Sequence, residues 1–182
     1  GRAMRFAATD VRRMGRTATG VRGIRLREDD EVVSLDAVDD EKTLFIATAN
    51  GYGKRCEFAD FTRHARGGMG MIGIKGADRN GAVVAAHAVS DDESVISITS
   101  DQLMVRNSVS QFRVQSRAAQ GVRLVRLNEG AKLVSISVCE GQQEETTDAP
   151  ADAVALQDGT TPAADASAGE AADDGQTPTE GQ

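Results

Sequence analysis

The sequence is poor in the residues on which many functional sites depend. It has no tryptophan, one tyrosine and an aromatic content of 3%. That content argues against a single-strand-binding protein, because such proteins stack bases on aromatic side chains. Two cysteines, Cys56 and Cys139, stand in strand-like runs without the spacing of metal ligands, so we interpret them as reduced thiols at or near the core. No apolar stretch approaches the ~18 residues of a membrane-spanning helix and no secretory signal opens the chain, so we expect a cytoplasmic protein.

Arrangements typical of catalysis are also missing. No Ser/His/Asp or Cys/His pattern is discernible, and the two histidines lack partners at ligand spacing. His64 stands beside Arg63 and could touch a phosphate, whereas His87 alternates with alanines and is interpreted as structural. Residues 68–73 match Gly-x-Gly-x-x-Gly, but a strand-like run follows them where a dinucleotide site needs a helix. We therefore predict no catalytic residue, no metal site and no cofactor on this chain.

The net charge of −7 conceals a segregation of charge along the chain. Residues 140–182 hold eleven acids and no lysine or arginine, so they carry −11, while residues 1–139 carry +4. The acidic segment is built mainly of Ala, Asp, Gly, Thr, Gln, Glu and Pro. It cannot bury enough apolar surface to offset the entropy of ordering, so we predict a disordered tail over residues 140–182.

The first 139 residues repeat themselves three times at a period of about fifty residues. The repeats are predicted to span residues 1–38, 39–89 and 90–139, and the first lacks its opening strand. The second is the most complete, with strand-like runs at 43–48, 52–58, 71–75 and 83–89 separated by turn signals at 50–51 and 78–81. Matching runs occupy 94–100, 103–109, 122–127 and 132–138 in the third repeat, and 32–38 closes the first. Four short strands in fifty residues are typical of a propeller blade, so we predict an all-β partial array.

Three blades are fewer than the four to eight that close a propeller. We therefore expect this chain to be the C-terminal part of a longer one. A stand-alone repeat protein that closes by oligomerising is the alternative.

Basic side chains recur at matching positions of the repeats, which predicts a basic row along one edge of the array. Arginine pairs well with phosphate oxygens, and phosphate contacts hold DNA without reading its sequence. Acidic links at 39–41 and 91–93 are interpreted as solvated turns that could also keep DNA off one face. The candidate DNA-binding residues are Arg5, Arg16, Arg22, Lys54, Arg55, Arg63, Arg66, Arg106, Arg117 and Arg123.

Several stretches, taken together in their order and spacing, resemble the C-terminal domain of DNA gyrase A. They are Gly1–Phe6, Met14–Ile24, Asn50–Arg55, Arg66–Gly70 and Gln120–Leu127. The resemblance implies a β-pinwheel, a propeller-like disc whose blades exchange strands, of which these would be the last three blades. It further implies that the basic rim binds and wraps double-stranded DNA to support negative supercoiling. The partners would be the remainder of gyrase A and the gyrase B protein in an A2B2 holoenzyme that uses Mg and ATP.

The sequence departs from the family's pattern in two respects. The family's gyrase-A box, Gln-Arg-Arg-Gly-Gly-Lys-Gly, is absent, and Arg66–Gly70 only echoes it. The catalytic tyrosine lies in the family's N-terminal region, so this chain alone should be inactive, and Tyr52 should not be mistaken for that residue. The alternatives are the matching domain of topoisomerase IV, which wraps DNA poorly, and a propeller-type module whose arginines bind an acidic protein.

Overall fold

The computed structural model describes residues 1–141, and the fold of this part is all-β, as predicted. The predicted tail lies outside the described residues except for Glu140 and Gly141, and Glu140 ends the last strand rather than beginning the tail. The elements, in chain order, are β1 (Arg2–Ala3), β2 (Thr43–Thr48), β3 (Tyr52–Glu57), β4 (Met71–Ile72), α1 (Ala77–Asn80), β5 (Val83–Val89), β6 (Glu93–Thr99), β7 (Met104–Ser108), β8 (Val122–Arg123) and β9 (Leu133–Glu140). The turn predicted at 78–81 is thus the helical turn α1. Among residues 1–141, no helix is long and apolar enough to cross a bilayer.

Each complete repeat places its opening strand at the centre of an antiparallel sheet. In the second repeat β2 lies between β5 and β3, and in the third β6 lies between β9 and β7. Leu44 of β2 is opposite Cys56 of β3 on one side and Ala88 of β5 on the other. These runs are short, rich in apolar and β-branched residues and bounded by turn signals, and this is why their bounds follow the sequence prediction closely.

The third strand of a repeat joins the sheet of the preceding repeat. β4 of the second repeat pairs with β1 of the first, and β8 of the third repeat pairs with β3 of the second. The sheets therefore do not coincide with the repeats, and the strand exchange implied by the family resemblance is confirmed. The exchanged strands are also shorter than predicted, because only two residues of each reach the neighbouring edge.

A glycine recurs at the same place in each repeat, and in the second and third repeats it makes this exchange possible. Gly20, Gly70 and Gly121 directly precede or approach the third strand, and all three have positive φ, which favours glycine. A Cβ on Gly121 would lie 2.3 Å from the carbonyl oxygen of Gly53, and one on Gly70 would lie 2.6 Å from that of Ala3. These contacts are too close for any side chain. At Gly70 and Gly121 the recurrent glycine therefore reflects the close approach of two backbones, whereas Gly20 has open space around it and shares only the positive φ.

The apolar core consists of two layers that lie on opposite faces of β2. Phe45 and Ala47 face a cluster shared with the third repeat, where the ring of Phe112 meets that of Phe45 edge-on at 5.4 Å. Leu44 and Ile46 face a second cluster that includes Phe58. Because β2 is buried on both faces, the repeats are stacked through their sheets as blades are in a propeller.

The closing run predicted at 32–38 is not a strand, and this prediction is wrong. In the other repeats the closing strand pairs with the opening strand of its own repeat, and the sequence has no such strand for the first repeat. The segment instead uses side chains: the Ser34 hydroxyl donates to the carbonyl of Ala86, and the Asp36 carboxylate accepts from the amide of Ala88 at 2.8 Å. Leu35 is 87% exposed as a result.

Candidate nucleic-acid interface

Arginines recur on the loops that connect the return strand of a repeat to its exchanged strand, and on the matching segment of the first repeat. Each loop begins with one 3-10 turn, at Ala8–Asp10, Phe58–Asp60 and Val109–Gln111. Phe58 and Val109 are buried and hold the second and third loops to the core. The corresponding Ala8 is exposed, so the first loop has no such apolar attachment.

Each loop runs beside the return strand of the preceding repeat. The amide of His64 donates to the carbonyl of Arg5 at 3.0 Å, and the amide of Gln115 donates to that of Arg55 at 2.9 Å. Since His64 and Gln115 occupy the same place in their repeats, the two junctions are built alike. Basic residues at matching positions therefore lie on the same side of the stacked repeats.

The first set of recurrent arginines makes contacts within the protein. We call this set the inner arginine row; it consists of Arg5, Arg55 and Arg106. Arg5 donates to the carbonyl of Phe58 at 2.9 Å and pairs with Asp40 at 3.2 Å. Arg55 pairs with Asp91, and Arg106 donates to the carbonyl of Glu140. The acidic links predicted to be solvated turns thus supply two partners, Asp40 and Asp91, for this row.

Two of the predicted DNA-binding residues are buried. Arg55 is 6% exposed, and Lys54 is 0% exposed. The Lys54 ammonium donates to the carbonyls of Ser116, at 2.8 Å, and Arg117, and burial lowers its pKa. Met4 and Val105 occupy the matching positions of the other repeats. In this structure Lys54 attaches the third loop to β3 and is not accessible to a phosphate, so its assignment to the DNA surface is wrong.

The second set of recurrent arginines also contacts the preceding repeat, where one is present. We call this set the loop arginine row; it consists of Arg16, Arg66 and Arg117. Arg66 donates to the carbonyls of Asp10 and Arg22, both at 3.1 Å, and Arg117 donates to the carbonyl of Ile72. Ile72 and Arg22 are equivalent positions, so the contact is the same at both junctions. The Arg16 side chain is exposed and makes no hydrogen bond to the described residues.

A third basic set, Arg25, Lys75 and Arg126, is fully available to a ligand, and sequence reasoning missed it. We call it the exposed basic row: all three residues are exposed, and none of their side chains bonds to any part of residues 1–141. Their backbone is nevertheless held between repeats: the amide of Arg25 donates to the carbonyl of Gly68 at 2.8 Å and that of Lys75 to Ala119 at 3.3 Å, and just before Arg126 the amide of Leu124 donates to Gly51 at 2.8 Å. The sequence signal that could have identified this set is a cation at the same position of every repeat. A search for recurrent arginines misses it because one member is lysine.

The remaining predicted residues are exposed as well. Arg22, Arg63 and Arg123 lie on the loops or the exchanged strands, and only Arg123 makes a side-chain hydrogen bond within the described part. The first repeat is the most basic, with eight arginines against one aspartate in residues 1–27. Beyond the exposed basic row, four further exposed arginines whose side chains make no hydrogen bond within residues 1–141 were not predicted: Arg12, Arg13 and Arg27 of the first repeat, and Arg113, the equivalent of Arg12 in the third.

Tyr52 begins β3, opposite Arg123 of β8, and contacts two arginines. The guanidinium carbon of Arg79 lies 4.4 Å from the centre of the tyrosine ring, and that of Arg123 lies at 5.7 Å. Arg123 also donates to the tyrosine hydroxyl at 3.3 Å and thereby lowers the pKa of Tyr52. Arg79 donates in addition to the carbonyls of Gln120, at 2.8 Å, and Gly121, at 3.2 Å.

The cysteines and histidines form no chemical site in the described part of the chain. Cys56 is buried and Cys139 half-buried, both as free thiols, and burial raises the pKa of Cys56 to about 11. His87 lies 3.8 Å from Asp36, and His64 is exposed on the second loop. Within residues 1–141 no three His, Cys, Asp or Glu side chains are grouped so as to hold a metal ion.

Comparison with known proteins identifies relatives over the whole repeat region. The family model described as DNA gyrase C-terminal domain, beta-propeller, matches residues 1–39, 42–90 and 91–140. The DNA gyrase A proteins of Klebsiella oxytoca and Escherichia coli strain K12 are 43% identical over 82% of this chain and 42% identical over 81% of it, respectively. The chain spans 17% of the length of each of these two relatives.

Two solved structures share the fold. The structure of a DNA gyrase A C-terminal domain superposes with a TM-score of 0.70 and 32% identity, over 76% of this chain and 47% of that one. The C-terminal domain of DNA topoisomerase IV superposes with a TM-score of 0.71 over 77% of this chain and 44% of that one, but at 22% identity it indicates the fold alone.

Proposed function

The chain belongs to the DNA gyrase C-terminal domain family, and from this premise we propose that it binds double-stranded DNA along its exposed basic edge and bends the duplex around it. The exposed basic row carries the proposal. It supplies one cation per repeat at a constant position, on backbone fixed by contacts between repeats. Such a row of cations can contact the phosphates of a duplex without reading its sequence.

Wrapping follows from the energetics of bending. Bending a duplex costs free energy that only additional contacts can offset. The second and third repeats repeat the same loop geometry, so a duplex that follows the row gains a phosphate contact at each repeat. The first loop, with its excess of arginines, adds the densest positive charge at one end of the row.

A gyrase context is favoured over topoisomerase IV. The family model and the curated relatives are described as gyrase, and the gyrase domain is the more similar of the two solved neighbours in sequence. In that context the chain would act with the remainder of gyrase A and with gyrase B in an A2B2 enzyme. It would support negative supercoiling in the cytoplasm, with Mg and ATP used elsewhere in the assembly.

We assign DNA cleavage to no residue of this chain. Tyr52 stacks against Arg79 and accepts a hydrogen bond from Arg123, so its hydroxyl is engaged within the sheet edge. Its role in the proposal is structural support of the rim.

Salt-dependent binding tests the proposal directly. The 182-residue chain is titrated with duplexes of unrelated sequence at several salt concentrations. We expect equal affinities for the sequences and a logarithmic salt slope of about −0.9 for each phosphate contacted. Religation of a nicked plasmid in the presence of the chain should shift the linking number if the duplex is bent around it. A chain that binds no duplex at low salt, or one that prefers an acidic protein, would favour the protein-interaction module instead.

A further inference from the structure

The junction of the second and third repeats carries a group of side chains that the first junction lacks. Tyr52, Arg79 and Arg123 come from three elements, β3, α1 and β8, and meet at one point on the edge of the sheet. At the first junction the residues opposite each other are Arg2 and Ile72. Arg2 is therefore opposite an aliphatic side chain, and neither an aromatic ring nor a second guanidinium is its partner in that pair.

One function of this group is shared by both junctions. Arg2 donates to the carbonyls of Met69, at 2.8 Å, and Gly70, which belong to the turn before the exchanged strand. Arg79 donates to the carbonyls of Gln120 and Gly121, which are the equivalent positions. A single arginine is therefore sufficient to hold the exchanged strand. Tyr52 and Arg123 are additional to that task.

The second guanidinium is held in place and keeps free donors. Within the described part of the chain, the Arg123 side chain makes one hydrogen bond, to the Tyr52 hydroxyl at 3.3 Å, and it is exposed. Guanidinium has five N–H donors in a planar fork that suits phosphate oxygens. The side chain thus retains donors for a ligand while the tyrosine restrains its orientation, which lowers the entropy lost on binding.

We propose that Tyr52, Arg79 and Arg123 form a phosphate-binding point for duplex DNA at the junction of the second and third repeats, with Tyr52 positioning the two guanidinium groups. The ring stacks against Arg79 and the hydroxyl accepts from Arg123, so one side chain orients both. This inference rests on the proposed DNA binding and assigns a specific contact to it.

The chain provides its own reporter for the test. Tyr52 is its single tyrosine, and there is no tryptophan, so the tyrosine emission of the chain comes from this point alone. Duplex DNA should change the emission with the same midpoint as a mobility-shift titration. Arg123→Gln should reduce this change and lower the salt slope by about 0.9. Arg126→Gln, the matched control, removes one exposed cation from the same repeat and should lower the slope equally while the emission change persists.

The positioning role has a separate signature. Tyr52→Leu leaves both guanidinium charges in place, so the salt slope should stay unchanged while affinity falls about threefold from loss of the stacking contact. Leucine occupies the matching position of the third repeat as Leu103, which favours correct folding of this variant. Tyr52→Phe, which retains the ring, should recover part of the affinity. A change of slope in Tyr52→Leu, or no loss of affinity, would contradict the positioning role.

The outcomes separate this inference from the proposed function. If duplex binds but the tyrosine emission is unchanged, DNA binding stands and this contact is refuted. If no duplex binds, both fail together. Inorganic phosphate at matched ionic strength is the last arm: an equal emission change would assign the group to free anions and remove it from the DNA path.

Discussion

Replacing the exposed basic row tests which of the recurrent cations touch DNA. The triple variant Arg25→Gln, Lys75→Gln, Arg126→Gln removes one charge per repeat from side chains without partners in residues 1–141. If each contacts one phosphate, the logarithmic salt slope should fall by about 2.7, which is three contacts at about 0.9 each. At about 0.1 M salt the same relation gives a loss of affinity of about 500-fold. Stability should change by less than about 0.5 kcal/mol at each site, as at ordinary surface positions.

The matched control removes the same charge from the inner arginine row. Arg5→Gln, Arg55→Gln, Arg106→Gln also takes one arginine from each repeat, but these side chains bond to Asp40, Asp91 and the Glu140 carbonyl. We expect the free energy of unfolding to fall by about 3 kcal/mol, since one charged hydrogen bond is lost at each of the three sites; the Asp91 carboxylate, 76% exposed, is solvated without its partner and adds little to this loss. Denaturant unfolding and salt titration are measured on both triples. An equal loss of slope in the two, or an unstable exposed-row variant, would refute the division of roles.

Further predictions concern the tyrosine, the buried thiol and the acidic segment. Arg123→Gln should raise the pKa of Tyr52 above its wild-type value, because the guanidinium that stabilises the phenolate is gone; absorbance of the single tyrosine during a pH titration measures this, and an unmoved midpoint would count against the contact. Burial raises the pKa of Cys56 from 9.0 to about 11. The stability that the buried neutral thiol contributes is therefore complete below pH 9 and is lost as the pH rises through 11, so the free energy of unfolding should fall by about 3 kcal/mol over that range. Cys56→Ala should flatten this dependence of the unfolding free energy on pH. Removing residues 142–182, which carry ten of the eleven acids of the predicted tail, should strengthen DNA binding at low salt and have little effect at high salt, and equal low-salt affinities would show that this segment does not compete. The purified chain should form no covalent adduct with plasmid DNA, and mass spectrometry of the peptide that contains Tyr52 would detect one.

Local pattern was enough to predict the strands and their repetition. β2 and β5 have the bounds expected from their apolar character and the turn signals beside them. Exchange of strands could not be read from the pattern of the residues, since a strand carries no mark of the sheet that it joins. The run at 32–38 has the same local character as β5 but finds no opening strand of its own repeat, so local propensity did not decide its structure.

The candidate site was harder to predict than the fold. Arg55 and Arg126 are the same residue type at recurrent positions, yet one is 6% exposed and the other lies free on the surface. What separates them is the position of acceptors, such as Asp91, that distant parts of the chain supply. Lys54 shows the same effect, because the carbonyls that bind it belong to the following repeat. A periodic cation therefore predicts that a position has a role, but not whether the role is folding or binding.

The two roles of the cations are linked through the exchanged strands. The guanidinium groups of Arg79 and Arg117 hold the third repeat to the second by backbone carbonyls, and these contacts fix the loop from which Arg126 projects. Carbonyl acceptors are neutral, so these attachments resist salt better than contacts with phosphate, which weaken as counterions compete. Under the proposed DNA binding, the rim would therefore keep its shape at salt concentrations that release the duplex. Spacing of the exposed basic row would then be set by the protein, and in the proposed complex the duplex, rather than the repeats, would deform to follow it.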